Sequence, residues 1–221
     1  MTSDLNYSVI MAVKNGVNYI QDALASVLEQ TEKPFEILVI DDHSTDSTKE
    51  VLNHNYPDIS VIDSLGIGQP AATNLGIGLA KCNVLAFLDH DDLWVKDKQE
   101  VQLNFLSHNK DFEAITSGVS NFSTEGDCRD VGAARVFGAT SFRKNVFSKY
   151  GYLDESISHH GVIEWWLRVE HEGIKFANLA EVGLMRRIHS ANSGNVNKLA
   201  SRVDLFSILR KQISENIQNE L

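Results

Sequence analysis

The stretch Val84-Leu85-Ala86-Phe87-Leu88-Asp89-His90-Asp91-Asp92-Leu93-Trp94 decides how the rest of the chain is interpreted. Its five leading apolar residues predict a strand buried on both faces, as in a parallel sheet. Three carboxylates follow within four positions, and in extended backbone Asp89 and Asp91 would project to the same side. Oxygen ligands of this kind suit Mg²⁺ or Mn²⁺ together with the oxygens of a substrate phosphate. The stretch therefore predicts a metal and phosphate site at the carboxyl end of a central strand, where open α/β sheets bind ligands.

The composition is typical of one globular domain. The chain has 221 residues, of which 43% are hydrophobic, so it suits one domain with an elaborated C-terminal part. Thirty acidic side chains against twenty Lys and Arg give a formal net charge of −10, which disfavours nucleic acid as the main partner. The segment 1–4 lacks the basic and apolar regions of a signal peptide, and no apolar run reaches the roughly 18 residues of a membrane span. We therefore expect a cytoplasmic protein.

Strand and helix patterns alternate in the first half of the chain. Predicted strands cover 7–13, 36–40, 59–62 and 84–88, and predicted helices cover 18–30, 45–53, 70–81 and 96–107. Ser44 is predicted to begin the second helix, with Asp46 in its positive first turn. Such alternation implies right-handed βαβ crossovers and a mostly parallel sheet of the Rossmann-like α/β class.

The regular alternation of predicted strands and helices ends after residue 110. The patterns predict strands over 114–122 and 176–188, an extended segment over 135–142, a polar loop over 123–130 and short helices near 144–150 and 164–173. An amphipathic helix is predicted from about residue 198 to the C-terminus, where it would cover the sheet or form a homodimer contact. We therefore divide a single domain, 1–221, into a nucleotide-binding half (1–110), a less regular acceptor half (111–195) and a C-terminal helix (196–221).

A second motif competes with the metal-site interpretation. The segment Gly66–Ala71 has the pattern G-x-G-x-x-A between a strand and a helix, and Asp89 ends the next strand. On pattern alone this is a dinucleotide-binding fingerprint. Asp91 and Asp92 would repel a pyrophosphate, and Pro70 removes one N–H group that would bind it. Dinucleotide binding is therefore the weaker alternative.

Two further carboxylates, Asp41 and Asp42, follow the second predicted strand. The carboxyl ends of parallel strands meet at one edge of a sheet, so we expect these residues near Asp89 and Asp91. For Asp42 a turn or helix cap is the favoured interpretation. For Asp41 a hydrogen bond to a nucleobase or ribose and a cap are equal alternatives.

Four segments in this order resemble the successive motifs of family 2 glycosyltransferases, which have the GT-A fold. They are Ser8–Asn15, Ile40–Asp46, Ala71–Ile77 and Phe87–Asp92. The order and spacing match over about residues 7–110, and further signatures continue to about residue 195. The resemblance implies transfer of a sugar from a nucleotide-diphosphate sugar, with UDP favoured, in the presence of Mn²⁺ or Mg²⁺.

The resemblance also implies roles for residues of the first half. The nucleotide pocket would be lined by Ala12, Val13 and Asn15. Asp41 would contact the base. Asp89 and Asp91 together would form the DxD motif, with Asp91 on the metal and Asp89 near the ribose and diphosphate.

Two residues of the second half receive roles in the same way. Glu164, which precedes Trp165 and Trp166, lies where the family has its acidic general base. His189, in Arg187-Ile188-His189, resembles the late histidine that completes the metal site. An inverting transfer needs such a base near the acceptor hydroxyl, opposite a leaving diphosphate whose charge a metal offsets. Core packing is the favoured use of the two tryptophans.

The chain departs from the family pattern at three positions. Lys14 stands where the family often has Tyr, Thr73 where it often has Arg, and Ile163 where it has the first residue of an acidic pair. Two alternatives therefore stay open: a catalytically weak nucleotide-sugar-binding protein, and a nucleotidyl- or phosphotransferase that uses the same aspartates. The acceptor stays open among glycan, lipid, peptide and small molecule.

Overall fold

The alternating pattern of the first half forms the predicted elements. The computed structural model describes residues 5–123, 129–133, 135–158 and 160–190, together with Leu205 and Ile208. The strands are β1 (Tyr7–Val13), β2 (Glu36–Asp41), β3 (Ser60–Asp63), β4 (Val84–Phe87), β5 (Leu93–Trp94), β6 (Ala114–Ser123), β7 (Arg129–Ala133), β8 (Thr140–Arg143) and β9 (Phe176–Ile188). The helices are α1 (Ile20–Leu28), α2 (Thr48–Asn55), α3 (Gln69–Leu79), α4 (Lys98–His108), α5 (Asn145–Tyr150) and α6 (Gly161–His171), with a 3₁₀ turn at Phe137–Ala139.

The strands form one mixed sheet in the order β3-β2-β1-β4-β8-β6-β9-β5, with β7 paired to β6. The first four are parallel, as predicted. β8 then runs antiparallel to β4, and β6 runs antiparallel to β8. These two reversals give β6, and β9 parallel to it, the direction of β4. The carboxyl end of β9 therefore reaches the same edge of the sheet as the carboxyl ends of β1, β2 and β4.

Helices cover both faces of this sheet because each carries an apolar stripe. The stripes of α1, α2 and α4 pack on one face, and those of α3, α5 and α6 pack on the other. Trp165 and Trp166 are buried in the second cluster, at 0% and 1% exposure, so they pack in the core. On that face α3 lies very close to β1, because a Cβ atom on Gly76 would lie 2.5 Å from Ile10 Cγ2.

Two predictions fall at or beyond the edge of the described residues. The predicted C-terminal helix lies outside them except for Leu205 and Ile208, which are helical. The predicted loop 123–130 overlaps β6 at Ser123 and β7 at Arg129 and Asp130, and the rest of it lies outside the described residues. Among the helices that the structure describes, none has the length and apolar content to cross a membrane.

The second helix begins later than predicted. It starts at Thr48, whose N–H donates to Asp46 Oδ1 at 3.0 Å. Ser44 does not begin the helix, because its hydroxyl donates to Asp41 Oδ1 at 2.5 Å. Serine and aspartate side chains can hydrogen-bond to each other or to nearby backbone groups, and such bonds compete with the first turn of a helix.

A lysine lies in a polar layer between α4 and the sheet. Lys98 is 2% exposed, and its ammonium donates to Gln102 Oε1 at 3.1 Å and lies 4.3 Å from the Trp94 ring centre. No carboxylate within the described ranges forms an ion pair with it. Burial lowers the pKa of Lys98 well below its ordinary value. The positive charge is therefore held at a cost in stability.

We expect Lys98→Met to stabilise the fold by about 1–3 kcal/mol, as replacement of a poorly compensated buried charge often does. Gln102 Oε1 keeps a donor in the Ser141 hydroxyl at 2.7 Å. Because the folded-state pKa of Lys98 is lowered, wild type gains stability as pH rises from that pKa towards about 10.4. The advantage of the variant should therefore be largest at low pH and shrink as pH rises. Thermal unfolding across pH measures it, with exposed Lys96→Met as control. A variant less stable than wild type at pH 6 would contradict this account.

Candidate active site

The candidate site lies at the sheet edge where β1, β2, β4 and β9 end. The loop after β1, the loop after β2 and the turn after β4 meet there because these strands are parallel and in register, with Val13 opposite Asp41 and Ile10 opposite Phe87. This edge holds the predicted site residues Ala12, Val13, Asn15, Asp41, Asp89, Asp91 and His189. Glu164 lies on α6 instead.

Side-chain hydrogen bonds join the loops after β1 and β2. Asn15, in a left-handed conformation with φ of 56°, accepts the Thr45 N–H at 2.8 Å through Oδ1. Its own N–H donates to Ser44 Oγ at 2.9 Å, and the next N–H, of Gly16, donates to Thr48 Oγ1 at 2.9 Å. Asn15 therefore shapes the wall predicted for the nucleotide. Its contact with a nucleotide stays a prediction.

The residues that lead into this wall are largely buried. Val13 is 2% exposed and its side chain packs in the core, so only its backbone is available to a ligand. Ala12 is half-buried. Asp41 is 1% exposed, and its Oδ1 accepts from the Ser44 hydroxyl and, at 3.3 Å, from the Ser44 N–H. These bonds hold the loop after β2 and do not cap α2, which begins at Thr48; the contact of Asp41 with a base stays a prediction.

Asp42 organises the segment that carries the dinucleotide-like pattern. Its Oδ1 accepts from the Ser64 hydroxyl at 2.7 Å and from the Gly68 N–H at 3.1 Å. Gly68, with φ of 91°, immediately precedes α3. A phosphate at this helix end would compete with the Asp42 carboxylate for that N–H and be repelled by it. The geometry thus speaks against a dinucleotide there.

The acidic stretch is a turn rather than extended backbone. β4 ends at Phe87, and the Asp92 N–H donates to the Asp89 carbonyl at 3.1 Å. The alternation argument for Asp89 and Asp91 therefore does not hold, although the turn still gathers their carboxylates. Asp92 is buried at 4% exposure, and its Oδ1 accepts the Arg187 N–H at 2.8 Å. Asp92 thus holds β9 against the turn.

Crowding raises the pKa of two carboxyl groups in this turn. Burial, then the charges of Asp89 and Asp91, raise the pKa of Asp92 to about 8. Asp89 keeps an exposed surface, but the protein atoms packed around it, and then the Asp91 charge, raise its pKa to about 7. Arg186 opposes both shifts. A cation at this turn would relieve the repulsion.

The structure brings His189 to Asp91 from the other half of the chain. His189 Nε2 lies 2.9 Å from Asp91 Oδ2, and the His189 ring packs 4.7 Å from the Tyr19 ring. This pair is a donor set of one imidazole and one carboxylate. Within the described residues no group of three His, Cys, Asp or Glu side chains converges as a metal cage. The residues therefore fit a cation that takes its remaining ligands from a substrate diphosphate.

Glu164 contacts Arg168 on its own helix. It is 4% exposed in the first turn of α6, and its Oε1 and Oε2 lie 3.0 and 3.4 Å from the Arg168 guanidinium. Arg168 also donates to the carbonyls of Tyr150 and Tyr152. These contacts suit a carboxylate that fixes the loop before α6. The role of general base stays a prediction.

Sequence reasoning assigned no role to Arg187, whereas the turn or cap expected for Asp42 agrees with its hydrogen bonds to Ser64 and Gly68. Arg187 contacts the acidic turn through both its backbone and its side chain. A signal was present, since Arg187 lies two positions before His189, the spacing that puts two side chains on the same side of extended backbone. Thr73, where the family often has Arg, donates its hydroxyl to the Gln69 carbonyl of its own helix at 2.9 Å.

Comparison with known proteins gives a consistent family. The model of "Glycosyl transferase family 2" matches residues 8–161. An uncharacterized glycosyltransferase of Rickettsia prowazekii is 30% identical over 94% of this chain and 72% of its own length. The UDP-Glc:alpha-D-GlcNAc-diphosphoundecaprenol beta-1,3-glucosyltransferase WfaP of Escherichia coli is 28% identical over 92% of this chain and 85% of its own length. An uncharacterized glycosyltransferase of Rickettsia felis is 45% identical over 52% of this chain, but the match spans only 19% of that relative.

Solved structures share the fold. TarS 1-349 of S. aureus in complex with UDP has a TM-score of 0.73 at 15% identity, covering 93% of this chain and 64% of that one. The same fragment in complex with UDP-GlcNAc has a TM-score of 0.72 at 16% identity, covering 85% of this chain and 60% of that one. The predicted GT-A fold class is confirmed by this likeness and by the mixed sheet between two helical layers. The division into donor and acceptor halves stays a prediction.

Proposed function

Because the chain belongs to glycosyltransferase family 2, we propose that it transfers a sugar from a UDP-sugar to an acceptor hydroxyl with inversion at the anomeric carbon. The contact that carries the proposal is the one between His189 Nε2 and Asp91 Oδ2 at 2.9 Å, beside the crowded carboxyl of Asp89. UDP and UDP-GlcNAc occupy TarS, and the name of WfaP includes UDP-Glc. These relatives support UDP as the donor nucleotide.

Asp91 and His189 would hold a divalent cation, Mn²⁺ or Mg²⁺. When bound, such a cation offsets the charge of the leaving diphosphate. The chain has a particular need for that help, because its formal net charge is −10 and the turn gathers three carboxyl groups. Asp92 would support the turn rather than bind the cation, because it is buried and accepts the Arg187 N–H.

The remaining first-half residues would bind and orient the nucleotide. Asn15 and the backbone of Ala12 and Val13 form the edge on which a base would lie. Asp41 would accept from the base while its Oδ1 holds Ser44. Asp89, which is exposed in the cleft, would accept from a ribose hydroxyl. Each of these contacts is a proposal that a nucleotide complex would test.

We propose an amphipathic acceptor of the lipid-diphosphate class. The name of WfaP identifies a sugar diphosphoundecaprenol as the acceptor of that relative. Beside α3 runs an open groove of about 690 Å³ with a mainly apolar lining. It is lined by Ile67, Ala71, Asn74, Leu75, Gly78, Leu79, Tyr152, Leu153 and Glu155. Ile67 and Ala71 flank Gln69, whose amide nitrogen lies 3.5 Å from Asp89 Oδ1, so one end of the groove adjoins the acidic turn.

Cytoplasmic localisation stays a prediction.

We expect Asp91→Asn to abolish Mn²⁺-dependent binding of UDP while the fold stays intact. At 100 times its Kd, UDP with Mn²⁺ should stabilise wild type by about 2.7 kcal/mol, or roughly 5–10 °C in Tm. The amide is neutral and a poorer cation ligand, so this gain should vanish. Exposed Asp58→Asn is the matched control. Wild type stabilised by UDP with Mn²⁺ but unable to release UDP from a UDP-sugar would favour the catalytically weak binder. Release of pyrophosphate or inorganic phosphate would favour the nucleotidyl- or phosphotransferase.

Glu164→Gln decides between a base and a structural carboxylate. As the predicted general base, Glu164 should on change to Gln lose sugar transfer but keep donor binding, and the weakened contact with Arg168 should lower stability by about 1–3 kcal/mol in either role. A general base contributes about 10²–10⁴-fold. A loss of kcat in that range with unchanged UDP binding, measured well below the Tm of the variant, would support Glu164 as the base, and a kcat within tenfold of wild type would contradict it. Steady-state transfer and thermal unfolding measure the two outcomes.

We expect Leu79→Ser to raise the KM for a lipid-diphosphate sugar acceptor about three- to tenfold. Leu79 is 46% exposed at the far end of the groove, and loss of partial apolar burial of one leucine is worth about 1 kcal/mol. The KM for the same sugar diphosphate on a short alkyl chain should not change. Val101→Ser, on α4 across the sheet, is the control. An equal rise in KM for both acceptors would contradict a role of the groove in lipid binding.

A further inference from the structure

Arg187 is a buried arginine that reaches three different elements. It is 8% exposed. Its backbone N–H donates to Asp92 Oδ1 at 2.8 Å, and its Nε donates to the Asp91 carbonyl at 2.9 Å. Its Nη2 donates to Asp22 Oδ2 on α1 at 3.1 Å. The Arg187 side chain thus joins α1 to the Asp91 carbonyl, while its backbone N–H binds the neighbouring Asp92 carboxyl group.

Aromatic rings hold the guanidinium in place. Its central carbon lies 4.9 Å from the Tyr19 ring centre and 4.8 Å from the Phe122 ring centre. The Tyr19 ring also packs against the His189 ring at 4.7 Å. Tyr19 therefore contacts both the arginine and the histidine two residues after it. Contacts of this kind contribute most where water is excluded.

We propose that Arg187 is the positioning residue that sets the contact between His189 and Asp91. His189 directly follows β9 and Asp91 lies in the turn after β4, and the Arg187 contacts fix the end of β9 against that turn. The inference rests on the proposed function, because it gives that contact the task of holding a divalent cation. In this role Arg187 acts through His189 and Asp91.

The geometry requires an arginine rather than any cation. A planar guanidinium can donate in two directions while its faces stack on rings, and a lysine ammonium cannot do all of this. The Asp22 carboxylate is 62% exposed, so that ion pair alone contributes little. The buried contacts with the Asp91 carbonyl and the two rings are therefore the ones that matter.

The experiment compares Mn²⁺ binding in the presence of UDP, measured by electron paramagnetic resonance well below each Tm. Loss of a residue that orients a metal ligand typically weakens binding about 10- to 100-fold, and we expect Arg187→Met to raise the Kd of Mn²⁺ by that factor. Arg187→Lys should recover only part of the loss. Asp22→Asn should change it less than threefold. The visible spectrum of bound Co²⁺ in Arg187→Met should shift towards that of His189→Ala.

Arg135→Met is the matched control. Arg135 pairs with Glu170 and lies 5.2 Å over the Phe176 ring at the opposite end of β9, so its loss should lower Tm without changing the Kd of Mn²⁺. If Arg187→Met fails to fold, Tyr19→Leu tests the same chain of contacts, with an expected rise in Kd of severalfold. Wild type that does not bind Mn²⁺ with UDP would refute the proposed function. Wild type that binds, with Arg187→Met or Tyr19→Leu variants that bind equally well, would overturn this inference alone.

Discussion

Electrostatic repulsion among three carboxyl groups in one turn is the constraint on which the rest of the site depends. Asp89, Asp91 and Asp92 follow a fully buried strand, so the turn has little freedom to separate them. The fold compensates from outside the turn. β9 supplies the Arg187 N–H to Asp92 and the His189 ring to Asp91. The mixed topology serves this purpose, because two antiparallel pairings bring β9 back in the direction of β4.

Sequence reasoning predicts the first half well because the signals there are local. Apolar runs for β1, β2 and β4 and the alternation with helices are read directly from neighbouring residues. Hydrogen bonds between loops cannot be predicted in this way. The bonds between Asn15 and Thr45 and between Asp42 and Gly68 join residues that are distant in sequence. Any aspartate at the end of a strand looks equally suited to a ligand or to a loop. The burial of the carboxylate and the hydrogen-bond donors around it decide between these two roles, and both depend on the folded structure.

The second half shows both the use and the limit of resemblance. His189 was matched to a family motif, and the fold does bring it to Asp91. The same resemblance gives Glu164 the role of general base, which stays a prediction, and the fold pairs its carboxylate with Arg168. That pairing has a local signal, because residues four apart on a helix are neighbours and an acid before a base is the favourable order. Spacing on α6 thus predicts the partner of Glu164, whereas its chemistry depends on a bound acceptor.

The joined loops after β1 and β2 have a consequence for how tightly a nucleotide can be held. Asn15 and Gly16 are bonded to Thr45 and Thr48 before any ligand arrives. The entropy of ordering those loops is lost during folding rather than on association. A ligand that binds a rigid, preorganised wall loses less free energy to ordering the protein, so more of the contact free energy appears as affinity. A nucleotide that binds this wall should therefore lose little affinity to the ordering of these two loops.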